Sequence, residues 1–273
     1  MIQPLLSICI PTYNRSPQLR RLLTELFSQL DKYPMPQPIE ILVSDNASDD
    51  GTLTMLGDFP GHLNYFYQSN MRNLGAAENW RKVVAMATGR YIWVLGDDDE
   101  LVPWAVSTIV DRLQSNLNAW VLFINYIQKN CRFPVIPLKE DMHFRNGREY
   151  MDFAFSFFSP AEWDAAKLTF YPSVVFSSTM RYLIEPYSPV DFSHAIAIHH
   201  FVDVCGLDML AKPLIIQNNE SPFMKKPKTY MLSTIRLYWF LGGLYGCRLR
   251  FAPLILRVFF GTMKYKMLRR LGL

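Results

Sequence analysis

Residues 91–100 read Tyr91-Ile-Trp-Val-Leu-Gly-Asp-Asp-Asp-Glu100, an apolar run followed directly by four carboxylates. The apolar run predicts a buried β-strand. Like charges packed this closely repel one another and are costly to desolvate unless a cation neutralises them. The end of a buried strand is also where open α/β sheets bind their ligands. The pattern therefore predicts a site for a hard divalent cation shared with a phosphate; the alternative is a solvated acidic turn.

Strands and helices alternate at short intervals over the first 130 residues. We predict strands at Leu5–Ile10, Ile39–Val43, Leu63–Gln68, Tyr91–Leu95 and Trp120–Ile127, and helices at Pro17–Leu30, Thr52–Phe59, Ala76–Ala87 and Trp104–Leu113. This alternation predicts an α/β fold with a doubly wound, mostly parallel sheet. From about residue 130 to residue 187 the pattern dissolves. Beyond it we predict only a helix at Ala195–Leu210 and a strand at Leu214–Gln217.

The composition is that of a globular protein with a large core. The chain has 273 residues, of which 50% are hydrophobic and 14% aromatic, so we expect one large α/β domain, alone or with an appendage. The four cysteines form no Cys-x-x-Cys pair, which favours reduced thiols in the cytosol over a disulfide framework or a zinc site. The first ten residues have the pattern of a strand and not of a signal peptide.

The charges are distributed unevenly along the chain. All 24 acidic residues lie at or before Glu220, whereas residues 221–273 contain 11 basic residues and no acidic one. Basic residues interleaved with aromatic and aliphatic ones favour helices lying on an anionic membrane surface. A helical cap with a solvated basic side and a dimer interface are the alternatives. Nucleic acid is not a predicted partner, because no binding module accompanies the charge. We therefore divide the chain into a body at 1–220 and a basic helical region at 221–273.

Three further predicted strands are followed by loops whose residues can bind anions or nucleosides. The residues that we single out are Pro11, Thr12, Tyr13, Asn14 and Arg15 in the first loop, Asp45 and Asn46 in the second, and Arg72 in the third. A helix N-terminus beside Arg15 offers N–H groups and positive charge to an anion. Each motif alone is also ordinary turn chemistry. Their convergence on one edge of the sheet is what favours a site.

Four motifs resemble, in order and spacing, those of the family 2 glycosyltransferases. They are Ser7-Ile-Cys-Ile-Pro-Thr-Tyr-Asn-Arg15, Val43-Ser-Asp-Asn-Ala-Ser-Asp-Asp-Gly-Thr52, Asn73-Leu-Gly75 and Leu95-Gly-Asp-Asp-Asp-Glu-Leu-Val-Pro103. The resemblance covers roughly residues 5–125 and is loose beyond them. It implies a GT-A type fold and the transfer of a sugar from a nucleoside diphosphate donor with inversion at the anomeric carbon.

The resemblance also implies roles for particular residues. Pro11 to Asn14 and Asp45 would hold the nucleoside, with Asp45 near the base. Many relatives have an Asp where Gly96 stands here, and counting back from Pro103 places the usual metal-binding Asp at Asp98. Asp99 would be a second metal ligand, and Asp97 would contact the donor. The implied cofactor is Mg²⁺ or Mn²⁺.

The catalytic base is not given by the family pattern. In many relatives a Glu-Asp pair about a dozen residues before a Gly supplies it, and this chain has no such pair. Counting back from Gly206 leads to Asp191 and His194 as candidates, and an unperturbed imidazole pKa near 6.5 suits a base. His194 is equally typical of a packed helix residue. Glu185, Asp203 and Asp208 are outside candidates.

The sequence therefore predicts an inverting, metal-dependent glycosyltransferase that works on the cytoplasmic face of a bacterial membrane. The acceptor would be a glycan, for example a lipid-linked O-antigen or capsule intermediate. The alternative is a non-catalytic nucleotide-sugar-binding or scaffold subunit, because the Glu-Asp pair is missing. A nucleotidyltransferase is less favoured, since its Gly-rich phosphate loop is absent near the start of the sequence.

Overall fold

The computed structural model describes most of the chain. The described residues are 2–33, 37–59, 64–115, 121–129, 134–157, 173–181, 193–218, 227–246, 250 and 252. Asp191, Glu185 and nearly all of the basic region after residue 246 lie outside these ranges.

One mixed sheet forms the centre of the described part of the molecule. Its strands are β1 (Leu6–Thr12), β2 (Ile39–Asp45), β3 (Tyr65–Ser69), β4 (Tyr91–Val94), β5 (Glu100–Leu101), β6 (Val121–Gln128), β7 (Met142–Phe144), β8 (Val174–Ser177) and β9 (Leu207–Gln217). Their order is β3-β2-β1-β4-β8-β6-β9-β5, and β7 pairs with β9. Strands β1, β2, β3, β4, β6 and β9 run in one direction, whereas β5, β7 and β8 run in the other. The predicted α/β class with a mostly parallel sheet is confirmed.

The helices cover the sheet and connect its strands. They are α1 (Ser16–Lys32), α2 (Thr52–Leu56), α3 (Ala76–Met86), α4 (Ala105–Ser115), α5 (Gly147–Phe157), α6 (Ser193–Cys205) and α7 (Pro227–Leu244). Helix α1 begins beside Pro17, which suits the first turn of a helix because it has no N–H to satisfy there. Its leucines at spacings of three and four residues are buried against the sheet. The nine elements predicted before residue 130 are all present, with ends displaced by at most three residues.

The prediction of a helix at Ala195–Leu210 was wrong in its second part. Helix α6 ends at Cys205, and β9 then runs without interruption from Leu207 to Gln217. Gly206 separates them with a φ of 80°, a left-handed conformation that commonly ends a helix. A short apolar run such as 207–210 fits a buried helix and a buried strand equally well, so periodicity could not separate the two.

Helix α7 is the first element of the basic region, and it packs on the body of the protein. Leu237, Tyr238, Leu241 and Tyr245 are buried. The Tyr245 hydroxyl lies 3.1 Å from Nδ1 of His199 in α6 and donates to the His199 carbonyl. His199 is therefore a packed interior residue. None of the helices in the described ranges combines the length and the apolarity needed to cross a bilayer.

Glu40 ties three strands together at the amino edge of the sheet, where the parallel strands begin. Its buried carboxylate accepts hydrogen bonds from the Ser7 hydroxyl, from the Thr88 N–H at 2.7 Å and from the Gly89 N–H at 3.1 Å. A side chain at position 89 would come within 2.6 Å of Ser7 Oγ, so the close approach of the two segments requires glycine. The carboxylate thus holds β1, β2 and the turn before β4 in register.

We expect Glu40→Gln to lower the free energy of unfolding by about 2 kcal/mol, because a neutral amide oxygen accepts the hydrogen bonds of Ser7, Thr88 and Gly89 more weakly than the carboxylate oxygen does. Urea denaturation measures the change. The matched control is Asp31→Asn, a substitution of an exposed carboxylate in the last turn of α1, which should change stability by less than about 0.5 kcal/mol. If the two variants had the same free energy of unfolding, Glu40 would not be the residue that holds this edge.

Candidate active site

The register of the parallel strands brings four loops to one edge of the sheet. Thr12, Asp45 and Ser69 are directly opposite one another at the carboxyl ends of β1, β2 and β3. Strand β4 pairs with β1 so that Asp97, three residues beyond its end, reaches the level of Thr12. The Thr12 hydroxyl donates to Asp97 Oδ2 at 2.7 Å. The structure therefore confirms that the loops after these strands converge on one edge of the sheet.

Arg15 holds the acidic loop, which we define as residues 97–100. Its guanidinium Nη1 lies 3.1 Å from Asp97 Oδ1 and also forms an ion pair with Asp98 Oδ2. Burial acts to lower the pKa of Arg15, but the two carboxylates outweigh it and the pKa is raised. Burial raises the pKa of Asp97 to about 6, against the opposing effects of Arg15 and of the Thr12 hydrogen bond. The Asp98 side chain is the more accessible of the pair, 22% exposed against 10% for Asp97.

Asp99 is more deeply buried than Asp97 and Asp98 and is only 3% exposed. Burial raises its pKa well above the usual range, and the neighbouring Asp98 raises it further, whereas the main-chain N–H of Asn218 lowers it. A side chain at position 96 would come within 2.6 Å of Asp99 Oδ2. The carboxylate of Asp99 thus occupies the space beside Gly96, which gives a physical reason for the glycine in this motif.

Three residues that sequence reasoning missed surround the acidic loop. Arg21 donates to the main-chain carbonyl of Asp98 at 3.0 Å, and the side-chain amide of Asn218 donates to the same carbonyl. The Glu100 carboxylate lies 3.0 Å from Arg21 and 2.9 Å from Lys129. The Lys129 hydrogen bond is the main cause that lowers the pKa of Glu100. These residues are far from the acidic loop in the chain, and no motif marks them.

The first and second loops are tied to each other. The Asn14 N–H donates to the Ser48 hydroxyl at 2.8 Å, and the Asp49 N–H donates to Asn14 Oδ1 at 3.0 Å. Asn14 has a φ of 52°, a left-handed conformation that asparagine tolerates better than most residues. Tyr13 is left 44% exposed and Pro11 partly exposed beside them. The two loops therefore form one rigid wall with an accessible aromatic ring.

Asp45 lies buried at the base of this wall. Its carboxylate accepts a hydrogen bond from the Ser69 hydroxyl at 2.7 Å and from the Ser48 N–H at 3.2 Å. Ser69 is the last residue of β3, and Ser48 belongs to the loop after β2. Asp45 is thus oriented by its neighbours and remains an acceptor-only group at the end of β2.

A network of buried amides supports the third loop. The Asn46 side-chain amide donates to Asn73 Oδ1 at 2.9 Å, and its Oδ1 accepts from the Leu74 N–H at 2.9 Å. The main-chain N–H of Asn46 donates to the Thr12 carbonyl. Asn79 in α3 donates to the Ser44 carbonyl at 2.8 Å. Asn46 therefore uses its side chain to fix the loop after β3.

Arg72 is carried by that same loop. Its side chain is exposed and makes no hydrogen bond or ion pair with the residues that the structure describes. A guanidinium in this position is accessible to an anion at the carboxyl edge.

The candidate bases lie in different parts of the structure. Asp191 lies outside the described residues, and His194 lies in the first turn of α6 with its side chain outside them. Asp208 is the second residue of β9 and is buried against His143, whose Nδ1 lies 2.6 Å away. That position is at the amino edge, opposite to the acidic loop. Asp203 is in the last turn of α6, close to where β9 begins.

The acidic loop offers only part of a metal coordination shell. No group of three or more carboxylate, imidazole or thiol side chains within the described ranges is arranged to hold a metal ion. A divalent cation bound here would therefore need further oxygen ligands. The phosphates of a nucleotide are the ligands that Mg²⁺ commonly takes in such sites.

Comparison with known proteins identifies the class to which this fold and this edge belong. The model of glycosyl transferase family 2 matches residues 7–162, more than half of the chain. The chain therefore belongs to family 2 of the glycosyltransferases.

Two curated relatives each match less than half of the chain. The abequosyltransferase RfbV of Salmonella typhimurium is 37% identical over 119 residues, which are 43% of this chain and 35% of that protein. The GalNAc(5)-diNAcBac-PP-undecaprenol beta-1,3-glucosyltransferase of Campylobacter jejuni is 30% identical over 112 residues, 40% of this chain and 34% of that protein. The matched part thus spans about a third of the length of these relatives.

Two solved structures share the fold at low sequence identity. S. aureus TarS 1-349 in complex with UDP-GlcNAc gives a TM-score of 0.66 at 15% identity, covering 90% of this chain and 72% of that one. The mannosyltransferase PcManGT from Pyrobaculum calidifontis, in complex with GDP-Man and Mn²⁺, gives 0.53 at 14% identity, covering 94% and 69%. The predicted GT-A type fold is confirmed by this likeness.

We expect Arg15→Ala to raise the pKa of Asp97 from about 6 by roughly one unit or more, because the ionised carboxylate loses its neighbouring cation. Titration of ¹³C-labelled aspartate by NMR in metal-free buffer measures the shift. The control is Arg20→Ala, which removes an arginine that pairs with Asp58 and should leave Asp97 unchanged. An unchanged or lower pKa in Arg15→Ala would show that Arg15 does not neutralise the acidic loop.

Proposed function

We propose that this protein is an inverting glycosyltransferase that moves a sugar from a nucleoside diphosphate donor to a glycan acceptor. The observation that carries the proposal is the convergence of Thr12, Arg15, Asp97 and Asp98 at the carboxyl edge in a chain of glycosyltransferase family 2. Open α/β sheets bind nucleotides at this edge. The structurally similar TarS, solved with UDP-GlcNAc bound, supports a nucleotide-sugar donor.

The donor would lie across the first three loops. We assign the nucleoside to the wall formed by Pro11, Thr12, Tyr13, Asn14 and Asn46, with Asp45 accepting hydrogen bonds from the base or the ribose. The fixed orientation of Asp45 suits this role, because a preorganised acceptor loses little freedom on binding. Arg15 and the exposed Arg72 would meet the diphosphate, and Asp97 would complete the donor site.

The acidic loop fits a divalent cation, Mg²⁺ or Mn²⁺. Its ligands are hard carboxylate oxygens, and the structure already places a positive group, the Arg15 guanidinium, between Asp97 and Asp98. We assign Asp98, the accessible carboxylate, as the main ligand and Asp99 as the second. When bound, such an ion stabilises the negative charge that develops on a departing diphosphate. The structurally similar PcManGT, solved with GDP-Man and Mn²⁺, supports this assignment.

Inversion requires a base on the face of the sugar opposite to the diphosphate. The base takes the proton of the acceptor hydroxyl as that oxygen attacks the anomeric carbon. We keep Asp191 and His194 as the candidates. The first turn of α6, which carries His194, is the end of a 13-residue helix farthest from Asp203 and the start of β9. Asp208 is unsuitable, because it lies at the amino edge and is paired with His143.

The acceptor is proposed to be lipid-linked, at the cytoplasmic, inner face of the cell membrane. The Campylobacter jejuni relative carries undecaprenol in its name, which supports a lipid carrier. Residues 247–273 contain seven basic residues and no acidic one. Trp239 on α7 is 58% exposed and Val204 on α6 is 77% exposed, so two neighbouring helices present apolar side chains to the surroundings. These features suit peripheral contact with anionic lipid.

We expect Asp98→Asn to reduce sugar transfer by at least about a hundredfold, because the variant loses the charge that binds the cation while the fold is retained. Transfer is measured with a panel of nucleotide sugars and Mn²⁺, and EDTA should abolish it in the wild type. The control is Asp58→Asn, an exposed aspartate paired with Arg20, which should transfer sugar at the wild-type rate.

Two outcomes would contradict the proposal. Full turnover by Asp98→Asn, or in the presence of EDTA, would remove the metal assignment. Donor binding by the wild type without transfer or donor hydrolysis for any sugar in the panel would favour a non-catalytic nucleotide-sugar-binding subunit.

We expect replacement of Lys264, Lys266, Arg269 and Arg270 by Gln to weaken binding to phosphatidylglycerol vesicles by at least about tenfold, since each basic side chain near an anionic surface contributes about 1 kcal/mol. Co-sedimentation measures binding, and phosphatidylcholine vesicles are the control surface. The four substituted residues lie outside α7, so the sequence of that helix is unchanged. Unchanged binding would favour a cap or a dimer interface over a membrane contact.

A further inference from the structure

Asn218 lies directly after β9, beside the acidic loop. Its side-chain amide donates to the main-chain carbonyl of Asp98. Its main-chain N–H lowers the pKa of Asp99, and its side chain lowers the pKa of Glu100. Asn218, which no sequence motif marks, therefore bonds to Asp98 and influences the two carboxylates that follow it.

The sheet register explains this meeting. Strand β5 pairs antiparallel with the end of β9, with Glu100 opposite Ile216. Continuing the same register by two residues places Asp98 opposite Asn218. The pairing of β5 with β9 thus brings Asn218 beside Asp98, and the short side chain of Asn218 makes the contact.

A second donor reaches the same carbonyl from another element. Arg21 in α1 donates to the Asp98 carbonyl at 3.0 Å. Two donors on one carbonyl restrict rotation of that peptide, and the direction of the Asp98 side chain follows from the backbone that carries it. An asparagine can make this contact without adding charge, whereas a carboxylate would repel the carbonyl and the acidic loop.

We propose that Asn218 is a positioning residue, which holds the Asp98 peptide so that the Asp98 carboxylate meets the cation and the diphosphate. Residues that orient metal ligands without binding the metal act in this way. The inference rests on the proposed function for its chemical meaning, because Asp98 is a metal ligand only under that proposal. The holding of the loop itself can be measured without any ligand.

The test compares the wild-type protein with Asn218→Ala and, independently, Arg21→Gln. The first readout is amide hydrogen exchange of residues 97–101 without metal, where we expect exchange to be about fivefold faster in Asn218→Ala because one hydrogen bond to the loop is lost. The second is the Kd for Mn²⁺, followed by electron paramagnetic resonance with UDP, GDP or CDP present. We expect it to rise about tenfold in Asn218→Ala and also to rise in Arg21→Gln.

The matched control is Asn64→Ala, an exposed asparagine in the turn before β3. It should leave both readouts and the melting temperature as in the wild type. Arg21 is half-exposed on α1, so we expect Arg21→Gln to leave the fold stable. If Asn218→Ala lowers the melting temperature, Arg21→Gln still tests the hydrogen bonds to the Asp98 carbonyl.

Each outcome decides the inference. Faster exchange together with weaker Mn²⁺ binding supports it. Unchanged exchange overturns it, and so does faster exchange with an unchanged Kd, because the contact would then hold the loop without orienting a ligand. Wild-type protein that binds no Mn²⁺ with any of the nucleotides overturns the proposed function, and with it the role of Asn218 toward a cation.

Discussion

The acidic loop brings four carboxylates into four consecutive residues, and its neighbours must neutralise them. Arg15 does so for Asp97 and Asp98, while Arg21 and Lys129 do so for Glu100. Because Asp97 and Asp99 are buried, their charges are costly, and the pKa of each is raised. A divalent cation beside these two carboxylates would favour their ionised forms and so lower the cost of burying them. The proposed chemistry uses this coupling between the buried carboxylates and a cation.

The remainder of the site serves to hold that loop and the donor wall in fixed relation. Thr12 links β1 to the acidic loop. The side-chain amide of Asn46 links the second loop to the third, and that of Asn79 links α3 to β2. Buried amides are satisfied only in particular geometries, so such a network favours one arrangement of the loops over others. At the opposite edge, Glu40 holds the same strands in register. The amino edge thus contributes to stability, and the carboxyl edge carries the candidate binding site.

The basic region begins as part of the fold. Helix α7 buries Leu237, Tyr238 and Leu241 against the body, and Tyr245 continues that packing through His199. The prediction of a separate region at 221–273 stays a prediction, but its first helix packs on α6.

The sequence by itself determined the alternation of strands and helices up to residue 130 and the loops that follow them. Parallel strands place their carboxyl ends at one edge, so the motifs around Thr12, Asp45 and Asp97 were predictable as a group. Only the tertiary structure decided that Leu207–Gln217 is one strand, because a buried apolar run has no periodicity that separates a helix from a strand. The same strand brings Asn218 to Asp98 across 120 residues of chain, and Arg21 reaches that carbonyl across 77. Contacts at such separations depend on how the sheet and the helices pack, and the local sequence does not encode that packing.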